Sequence, residues 1–328
     1  QYDVCSYPYH ANLLVNAGPG AGKTMVLIRR AAHLIHEQGL RPEQVLILAF
    51  NRAVVHEIKS RIKGLFDQLG YGAYVRRLQV YTFHAFAVRH MAAENGVQAE
   101  PEEGIDETLS TFANQCAADP AFAQRVTRGV RAILVDEFQD MTDDLYRLLL
   151  SLKRASGAGL MVIGDDDQDI LRWNRGPGQK VEARHYFEDL RNVEDVSVEA
   201  IDLAVNFRSG TEVVERSQGF IGKFLHGISA RIKAETILRG RTTAASGALV
   251  WIKGDALDHV RQIAQESARQ QKTYAVLCRT NAEVHHLHEE LSSELENVTV
   301  QGREGNFALS RLRQTGVWRD LCEAYAEE

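Results

Sequence analysis

Runs of consecutive apolar residues alternate along the chain with stretches in which apolar residues recur every three or four positions. Stretches of the second kind predict helices, as in "RAVVHEIKSRIKGLF", where Val55, Ile58 and Ile62 recur at helical spacing. The apolar runs predict the strands "NLLVNA" (12–17), "QVLILAF" (44–50), "LQVYTF" (78–83), "AILVDE" (132–137) and "LMVIGD" (160–165). Because these strands are continuously apolar, both faces of their sheet should be covered. The pattern predicts an α/β fold with a parallel, doubly wound sheet.

Residues 84–130 interrupt this alternation. They have helical spacing and contain the acidic loop "ENGVQAEPEEGIDE", so we interpret about 87–130 as a small helical insertion outside the core. A second unit is predicted after "NFRS" (206–209). It comprises a helix, a possible loop at 239–247, a strand at 247–255, the helix "DHVRQIAQESARQ", a strand at 274–280 and a further helix.

The composition is that of a globular protein, with 328 residues, 45% hydrophobic and 25% charged, which suggests about two domains. No run of about 18 apolar residues occurs, so no membrane-spanning segment is expected. The net charge of −6 differs from the basic balance of a general nucleic-acid coat, so any nucleic-acid contact should be local. The cysteines form no CxxC motif and fit a reducing compartment; they are Cys5, Cys116, Cys278 and Cys322.

Three histidines close together invite a metal interpretation. His285, His286 and His288 lie in "AEVHHLHEELSSEL", whose apolar residues recur at helical spacing. We favour an amphipathic helix with Val284, Leu287 and Leu291 on its buried side over a metal site.

A glycine-rich turn separates the first predicted strand from the first helix, in "NLLVNAGPGAGKTMVLIRR" (12–30). Gly18, Gly20 and Gly22 lack Cβ atoms, so the chain can curl and direct several N–H groups inward. The helix that follows adds its positive N-terminal end. The turn therefore predicts a phosphate site, with a chance glycine-rich bend as the alternative.

Two residues after this turn have the chemistry of a triphosphate site. Lys23 can reach the β- and γ-phosphates, and the Thr24 hydroxyl can bind Mg²⁺. The strict P-loop pattern has glycine at its first position, where this chain has Ala17. The remaining glycines supply the required geometry.

Two adjacent acids end the predicted strand "AILVDE", within "ILVDEFQD" (133–140). The carboxyl ends of parallel strands are where ligands bind in open α/β sheets. Asp136 would hold Mg²⁺ and Glu137 would polarise the water that attacks the γ-phosphate. Alone, the pair could be a surface acidic turn; together with the glycine-rich turn it completes one Mg²⁺–nucleotide site.

A third polar turn follows the strand "LMVIGD", within "VIGDDDQDILRWNRG" (162–176). The Gln168 amide can donate to a γ-phosphate oxygen and accept from the attacking water. Trp173, if exposed, could stack on a nucleobase. A packing role for this Trp is the alternative.

In their order and approximate spacing, five motifs resemble those of the superfamily 1 DNA helicases of the UvrD/Rep/PcrA type. They are "AGPGAGKT", "YTFHAF" (81–86), "DEFQD", "GDDDQ" and "VNFRS" (205–209). The resemblance implies a RecA-like P-loop NTPase fold and an ATP-driven motor on single-stranded DNA, usually moving 3′ to 5′. It implies ATP and Mg²⁺ as cofactors and single-stranded DNA or a single-strand/duplex junction as the partner. It also implies a repair or recombination partner protein and a cytoplasmic, nucleoid-associated location with no membrane.

The resemblance also assigns residues by motif. Glu137, Gln168 and Arg208 take catalytic roles, with Arg208 reaching the γ-phosphate, and Phe207 stacks on adenine. The implied nucleotide-binding set is Gln1, Ala17, Gly18, Gly20, Ala21, Gly22, Lys23, Thr24 and Phe207, with Thr24 and Asp136 as metal ligands. The implied DNA-binding set is Phe50, Asn51, Thr82, His84 and Trp173.

The chain departs from the family pattern in several places. Leu171 replaces an aromatic residue, Met25 replaces an arginine, and the late family motifs are absent. We therefore expect an N-terminal fragment, with residues 1–205 as the first RecA-like domain and 206–328 as the start of a second. One alternative is a helicase-like ATP-binding module that holds single-stranded DNA or a protein without unwinding. Another is a small-molecule kinase or other P-loop enzyme, which would leave "GDDDQ" and "NFRS" without a role.

Overall fold

The computed structural model of the protein describes most of the first two thirds of the chain and separate helices after it. The described residues are 1–70, 72–95, 105–169, 182–224, 239–240, 256–270, 275–276, 278, 281–294 and 298. The chain divides into two compact units, Gln1–Ala248 and Leu249–Glu328. The division expected between 205 and 206 stays a prediction.

Six parallel strands form the sheet of the first unit. Their bounds are Leu13–Ala17 (β1), Val45–Ala49 (β2), Gln79–Thr82 (β3), Ala132–Val135 (β4), Gly159–Gly164 (β5) and Glu199–Leu203 (β6). The strand order is β3-β2-β4-β5-β1-β6. Because every pairing is parallel, the carboxyl ends of all six strands lie at one edge. The five predicted strands are confirmed, and β6 was not predicted.

Helices connect and cover these strands. In the first unit they are Tyr2–Ser6 (α1), Lys23–His36 (α2), Arg52–Gln68 (α3), Phe83–Asn95 (α4), Ile105–Ala118 (α5), Pro120–Val126 (α6), Asp143–Ser156 (α7), Arg184–Asn192 (α8) and Thr211–Phe224 (α9). Short 3₁₀ turns occur at Pro42–Gln44, Gly72–Arg77, Phe138–Asp140 and Asp166–Gln168. Two further residues, Val205–Asn206 (β7), pair with Arg239–Gly240 (β8). Within the described ranges, no helix is both long and apolar enough to cross a bilayer.

Side chains on the two faces of the sheet enter separate cores. Leu14 and Leu46 pack in one core with residues of helices α4–α8. The neighbouring Leu13 and Ile47 point to the opposite face, where they pack with residues of α1–α3. Successive strand residues point to opposite faces, so continuously apolar strands fill both cores. The predicted α/β fold, with a doubly wound parallel sheet, is confirmed.

Helix α7 shows how local sequence sets an element that supports the site. Thr142 accepts a hydrogen bond from the Leu145 N–H at its N-terminus, and Gly157 ends it in the left-handed conformation. Both are favoured capping residues. Its leucines fill the core beneath β4 and β5, and each buried leucine contributes about 1.5–3 kcal/mol of hydrophobic stabilisation.

Within the segment 87–130, the described residues 87–95 and 105–130 are largely helical, as predicted, but they are not outside the core. Phe112 of α5 and Phe122 of α6 are buried, and their rings lie 5.7 Å apart. Phe112 also contacts Phe86 of α4, at 6.1 Å between ring centroids. These side chains belong to the same core as the strands. The expectation was wrong because the acidic loop concealed the apolar faces of the helices on either side.

Two helices of the second unit are described, Ala256–Gln270 (α10) and Asn281–Glu294 (α11). Both were predicted, and Arg261 Nη2 joins them by donating to Glu290 Oε2 at 3.0 Å. Leu291 is buried, as expected for the apolar side of α11. In the described part of the chain, the side chains of His285, His286 and His288 do not form a group that could bind one metal ion. The strand predicted at 247–255, and most of the one at 274–280, lie outside the described residues.

Candidate functional site

The glycine-rich turn joins the end of β1 to the start of α2. Gly20 and Gly22 have φ values of 68° and 83°, in the left-handed region. A Cβ on Gly20 would lie 2.5 Å from Asn206 Oδ1, and one on Gly22 would lie 2.9 Å from Gln1 Nε2. Gly20 therefore excludes a side chain for steric as well as conformational reasons, whereas Gly22 excludes one mainly through its left-handed conformation, because the Gln1 amide ends a flexible side chain. Between Leu13–Ala17 and Lys23–His36, the turn has the strand–loop–helix context of a phosphate-binding loop.

The first two residues of α2 face the acids that follow β4. Thr24 Oγ1 donates to Asp136 Oδ2 at 3.2 Å. Lys23 Nζ lies 3.9 Å from Glu137 Oε2. Strands β4 and β1 flank β5 in the sheet, and their carboxyl ends share one edge. The structure thus brings together the two halves of the site predicted from the sequence.

Asp136 is fully buried at the centre of this arrangement. The pKa of its carboxyl is raised to about 7, mainly by burial and also by the nearby charge of Glu137. The Glu137 N–H, the Thr24 hydroxyl and the Lys23 ammonium oppose this increase in pKa. A buried carboxylate next to a hydroxyl is an oxygen donor set suited to Mg²⁺, and a cation there would favour the ionised form.

Glu137 adopts an uncommon backbone conformation. Its φ of 51° is the only positive value among the described non-glycine residues. Such a conformation costs on the order of 1–3 kcal/mol and is frequent at functional sites. The side chain is 28% exposed, and Oε2 accepts a hydrogen bond from Gln139 Nε2 at 2.8 Å. The left-handed turn thus directs the carboxylate toward Lys23.

Gln168 lies on the short turn after β5, between the ends of β4 and β1 in the sheet. Its Nε2 donates to Asp165 Oδ2 at 2.7 Å, and its backbone N–H donates to Asp165 O at 2.9 Å. Asp165 is fully buried. The turn therefore holds the Gln168 amide next to the edge where the glycine-rich loop and the acids meet.

The "NFRS" turn is attached to the glycine-rich loop. Asn206 Nδ2 donates to Pro19 O at 2.8 Å, and the Phe207 N–H donates to Gly20 O at 2.9 Å. Asn206 Oδ1 accepts from the N–H groups of Arg208 and the following serine, each at 2.8 Å. Phe207 is 42% exposed and Arg208 is also exposed. Both predicted residues thus border the loop with their side chains open to a ligand.

The N-terminal residues also contact the loop. Gln1 Nε2 donates to Ala21 O at 2.7 Å. Ala17 and Ala21 are buried, and Ala17 forms the end of β1. Arg30 of α2 holds the preceding segment, with Nη1 donating to Cys5 O at 3.0 Å and Nη2 to Pro8 O at 2.7 Å. The predicted nucleotide-binding residues therefore converge on one turn.

Four of the predicted DNA-binding residues lie at the carboxyl ends of the neighbouring strands β2 and β3 or directly after them. Asn51 Oδ1 accepts from the Val54 N–H at 2.8 Å, which caps α3. Thr82 Oγ1 accepts from the Ala85 N–H at 3.0 Å, at the start of α4. Phe50 packs 5.4 Å from the Phe83 ring. His84 is half-buried at the start of α4.

These four residues lie at the same sheet edge as the nucleotide residues, on the β2–β3 side. Each of Phe50, Asn51 and Thr82 has a structural role in its contacts, so DNA contact stays a prediction. Trp173 lies outside the described residues.

Two site residues were not predicted from the sequence. Gln139 lies within "DEFQD", and Asn206 begins "NFRS". Each is buried and forms hydrogen bonds that join two segments of the site. A polar residue in a turn next to a predicted catalytic group is a weak signal, because most such residues are solvated.

Comparison with known proteins places these motifs in a family. A family model described as the UvrD/REP helicase N-terminal domain matches residues 2–100 and 94–183. The chain is 23% identical over 364 aligned residues to ATP-dependent DNA helicase PcrA of Leuconostoc citreum, covering 85% of the chain and 46% of that protein. It is 24% identical over 300 aligned residues to DNA helicase II of Escherichia coli, covering 66% of the chain and 40% of that protein.

The chain thus spans about half the length or less of these curated relatives. Among solved structures, a Pif1 helicase from Candida albicans matches with a TM-score of 0.42 and 14% identity. That match covers 89% of this chain and 52% of the other.

Proposed function

The chain belongs to the UvrD/REP helicase family, and on this premise we propose that the protein is an ATP-dependent DNA helicase or translocase that moves along single-stranded DNA in the 3′ to 5′ direction. The relatives that support this proposal are named ATP-dependent DNA helicase and DNA helicase II. The direction of movement and the single-stranded track come from the family resemblance of the motifs.

One observation carries the proposal: the glycine-rich turn and the two acids, distant in sequence, meet at one sheet edge. Thr24 Oγ1 and Asp136 Oδ2 are separated by 112 residues in the chain and by 3.2 Å in space. A P-loop on its own is common to many enzymes. Its combination with an adjacent acid pair and the Gln168 turn is what a nucleotide-hydrolysing motor requires.

Each residue has a chemical task in the proposed hydrolysis. The backbone of the turn and the N-terminus of α2 would bind the phosphates, and Lys23 would neutralise the terminal ones. Thr24 and Asp136 would hold Mg²⁺, which neutralises charge on the β- and γ-phosphates when it is bound. Glu137 would accept the proton of the attacking water, and Gln168 would orient that water.

The surrounding residues would recognise the rest of the nucleotide. Phe207, exposed beside Gly20, offers a ring for stacking on adenine. The Gln1 amide lies at the same loop and has the donor and acceptor groups to pair with adenine. Arg208 would stabilise the charge on the γ-phosphate.

The proposed DNA track lies on the neighbouring strand ends. The carboxyl ends of β2 and β3, at the edge shared with the nucleotide residues, carry Phe50, Asn51, Thr82 and His84. A change at the γ-phosphate could thereby alter the grip on DNA, which is the differential contact that a motor needs. A single-strand/duplex junction, a repair or recombination partner and a cytoplasmic, nucleoid-associated setting belong to the same proposal.

A second candidate is a helicase-like ATP-binding module that holds DNA or a protein without unwinding. The net charge of −6 favours this alternative, because processive nucleic-acid binders are usually basic. The acid pair and Gln168 favour hydrolysis, since a binding module has no need of a catalytic base.

The test is the ATPase rate of the full-length protein with and without single-stranded DNA, followed by unwinding of a duplex with a 3′ tail. We expect DNA to raise the hydrolysis rate at least about 10-fold and a 3′ tail to support unwinding. A rate that single-stranded DNA leaves unchanged would contradict the motor. Stimulated hydrolysis without unwinding on either a 3′ or a 5′ tail would favour translocation without strand separation.

A further inference from the structure

Gln139 connects the acid pair to the Gln168 turn through both ends of its amide. Its Nε2 donates to Glu137 Oε2 at 2.8 Å, and its Oε1 accepts from the Asp165 N–H at 3.0 Å. Asp165 Oδ2 in turn accepts from Gln168 Nε2 at 2.7 Å. A continuous chain of hydrogen bonds therefore runs from Glu137 to Gln168.

The surroundings of Gln139 fix its position. The residue is 4% exposed and lies on the 3₁₀ turn Phe138–Asp140, directly after Glu137. A Cβ on Gly164 would lie 2.8 Å from Gln139 Oε1, so the glycine leaves room for the amide. A buried amide with both ends bonded is held in one orientation, because reversing it would oppose like groups.

Glu137 needs such a restraint more than Asp136 does. Its carboxylate is part-exposed and lies 3.9 Å from Lys23 Nζ, beyond direct hydrogen-bond distance. The hydrogen bond from Gln139 is the close contact that the structure gives to this carboxylate. A base that is displaced by about 1 Å can lose two orders of magnitude in rate.

We propose that Gln139 is a positioning residue for ATP hydrolysis, which orients the Glu137 carboxylate and ties it to the turn that carries Gln168. This inference rests on the proposed function. It adds that Glu137, the base, and Gln168, which senses the γ-phosphate, are held as one unit, so that neither moves without the other. Gln139 itself does not touch the nucleotide.

The test is Gln139→Met in the full-length protein, because methionine has a similar size and cannot make either hydrogen bond. We expect kcat for DNA-stimulated ATP hydrolysis to fall about 10- to 100-fold, with the KM for ATP within about twofold of the parent. A kcat within about twofold of the parent would overturn the proposal. A rise in the KM for ATP with an unchanged kcat would also overturn it. Gln124→Met, at an exposed position on α6, is the matched control and should leave both constants unchanged.

A double-mutant cycle separates positioning from general support of the fold. In single-turnover hydrolysis, Gln139→Met should add less than about a twofold loss to the Glu137→Gln protein, because the group it positions is already gone. If Gln139→Met lowered the hydrolysis rate of the Glu137→Gln protein by the same factor as it lowers the parent rate, Gln139 would act independently of Glu137 and the proposal would be wrong. If Glu137→Gln alone hydrolysed ATP at the parent rate, another group would be the base and the proposal for Gln139 would fail, whereas the proposed function is tested separately by DNA stimulation of the parent ATPase.

Gly164→Ala gives a second route if Gln139→Met does not fold. The added methyl group would lie 2.8 Å from Gln139 Oε1 and 3.0 Å from both the Phe138 backbone N and Phe187 Cζ, so it would displace the turn that carries Gln139 without replacing any group of the site. We expect a fall in kcat of about 3- to 10-fold with unchanged KM. An unchanged kcat in this variant would also count against the proposal.

Discussion

The Thr24 hydroxyl and the Asp136 carboxylate lie 3.2 Å apart, although 112 residues separate them in the chain. Thr24 begins α2, directly after the glycine-rich turn, and Asp136 follows β4. Neither residue identifies a site alone, since threonines and aspartates at the ends of strands and helices are common. Their contact joins the two halves of a nucleotide site at one edge of a parallel sheet, where such folds bind ligands.

Removal of the Lys23 ammonium should weaken the binding of Mg²⁺–ATP. Lys23→Ala removes a charge-assisted contact to the terminal phosphates, and we expect the Kd for a fluorescent ATP analogue to rise about 10- to 100-fold. Lys63→Ala, at an exposed position on α3, is the control and should bind as the parent does. Equal ATP affinity in the two variants would mean that Lys23 does not contact the phosphates.

Glu137→Gln should separate ATP binding from hydrolysis. The amide cannot accept the proton of the attacking water, so the hydrolysis rate of the full-length protein should fall about 10²- to 10⁴-fold while ATP affinity is retained. Single-turnover hydrolysis and nucleotide titration measure the two effects. Glu107→Gln on α5 changes an exposed carboxylate and should hydrolyse normally. Near-normal turnover in Glu137→Gln would show that another group is the base.

A pair of Gly→Ala variants tests the geometry of the glycine-rich turn. Gly20 has a φ of 68°, and its Cβ would meet Asn206 and Arg208 within 2.9 Å, whereas a Cβ on Gly64 would meet nothing within 4 Å. Gly20→Ala should lower stability by at least about 1–2 kcal/mol and impair ATP binding. Gly64→Ala, in the exposed interior of α3, should raise stability by about 0.5–1 kcal/mol. Denaturant unfolding of both variants checks the opposite signs.

Arg30 should stabilise the N-terminal segment that carries Gln1. Its buried guanidinium donates to backbone carbonyls of Cys5, Tyr7 and Pro8, and burial lowers its pKa to about 10. Arg30→Met leaves these carbonyls with fewer donors and should cost about 1–3 kcal/mol in the free energy of unfolding.

The neighbouring Arg29 is exposed and provides the control for this prediction. Arg29→Met should change the free energy of unfolding by less than about 0.5 kcal/mol. Equal effects of the two substitutions would mean that the three carbonyl contacts contribute little.

The central sheet was predictable because its strands are buried on both faces. Strands such as Val45–Ala49 read as unbroken apolar runs, a pattern with few alternatives. Strand Glu199–Leu203 lies at the edge next to β1, and most of its side chains are exposed or part-exposed. It has no apolar run to detect, and only its pairing with β1 makes it a strand.

The site was predictable in its chemical groups and less so in the contacts between them. Lys23, Thr24 and the acid pair stand in patterns that few other structures require. Gln139 and Asn206 depend instead on which segments the fold brings together. Apart from the Glu137 carboxylate, the hydrogen-bond partners described for them are distant in sequence or belong to the backbone, so no local pattern marks them.

A crystal structure of the protein with Mg²⁺ and a non-hydrolysable ATP analogue tests the central claim most directly. We predict the triphosphate in the turn from Gly18 to Thr24, with the metal ion between Thr24 Oγ1 and the Asp136 carboxylate. Glu137 and Gln168 should face the γ-phosphate. A nucleotide bound elsewhere, or a metal ion that neither Thr24 nor Asp136 approaches, would contradict the assignment of this edge as the nucleotide site.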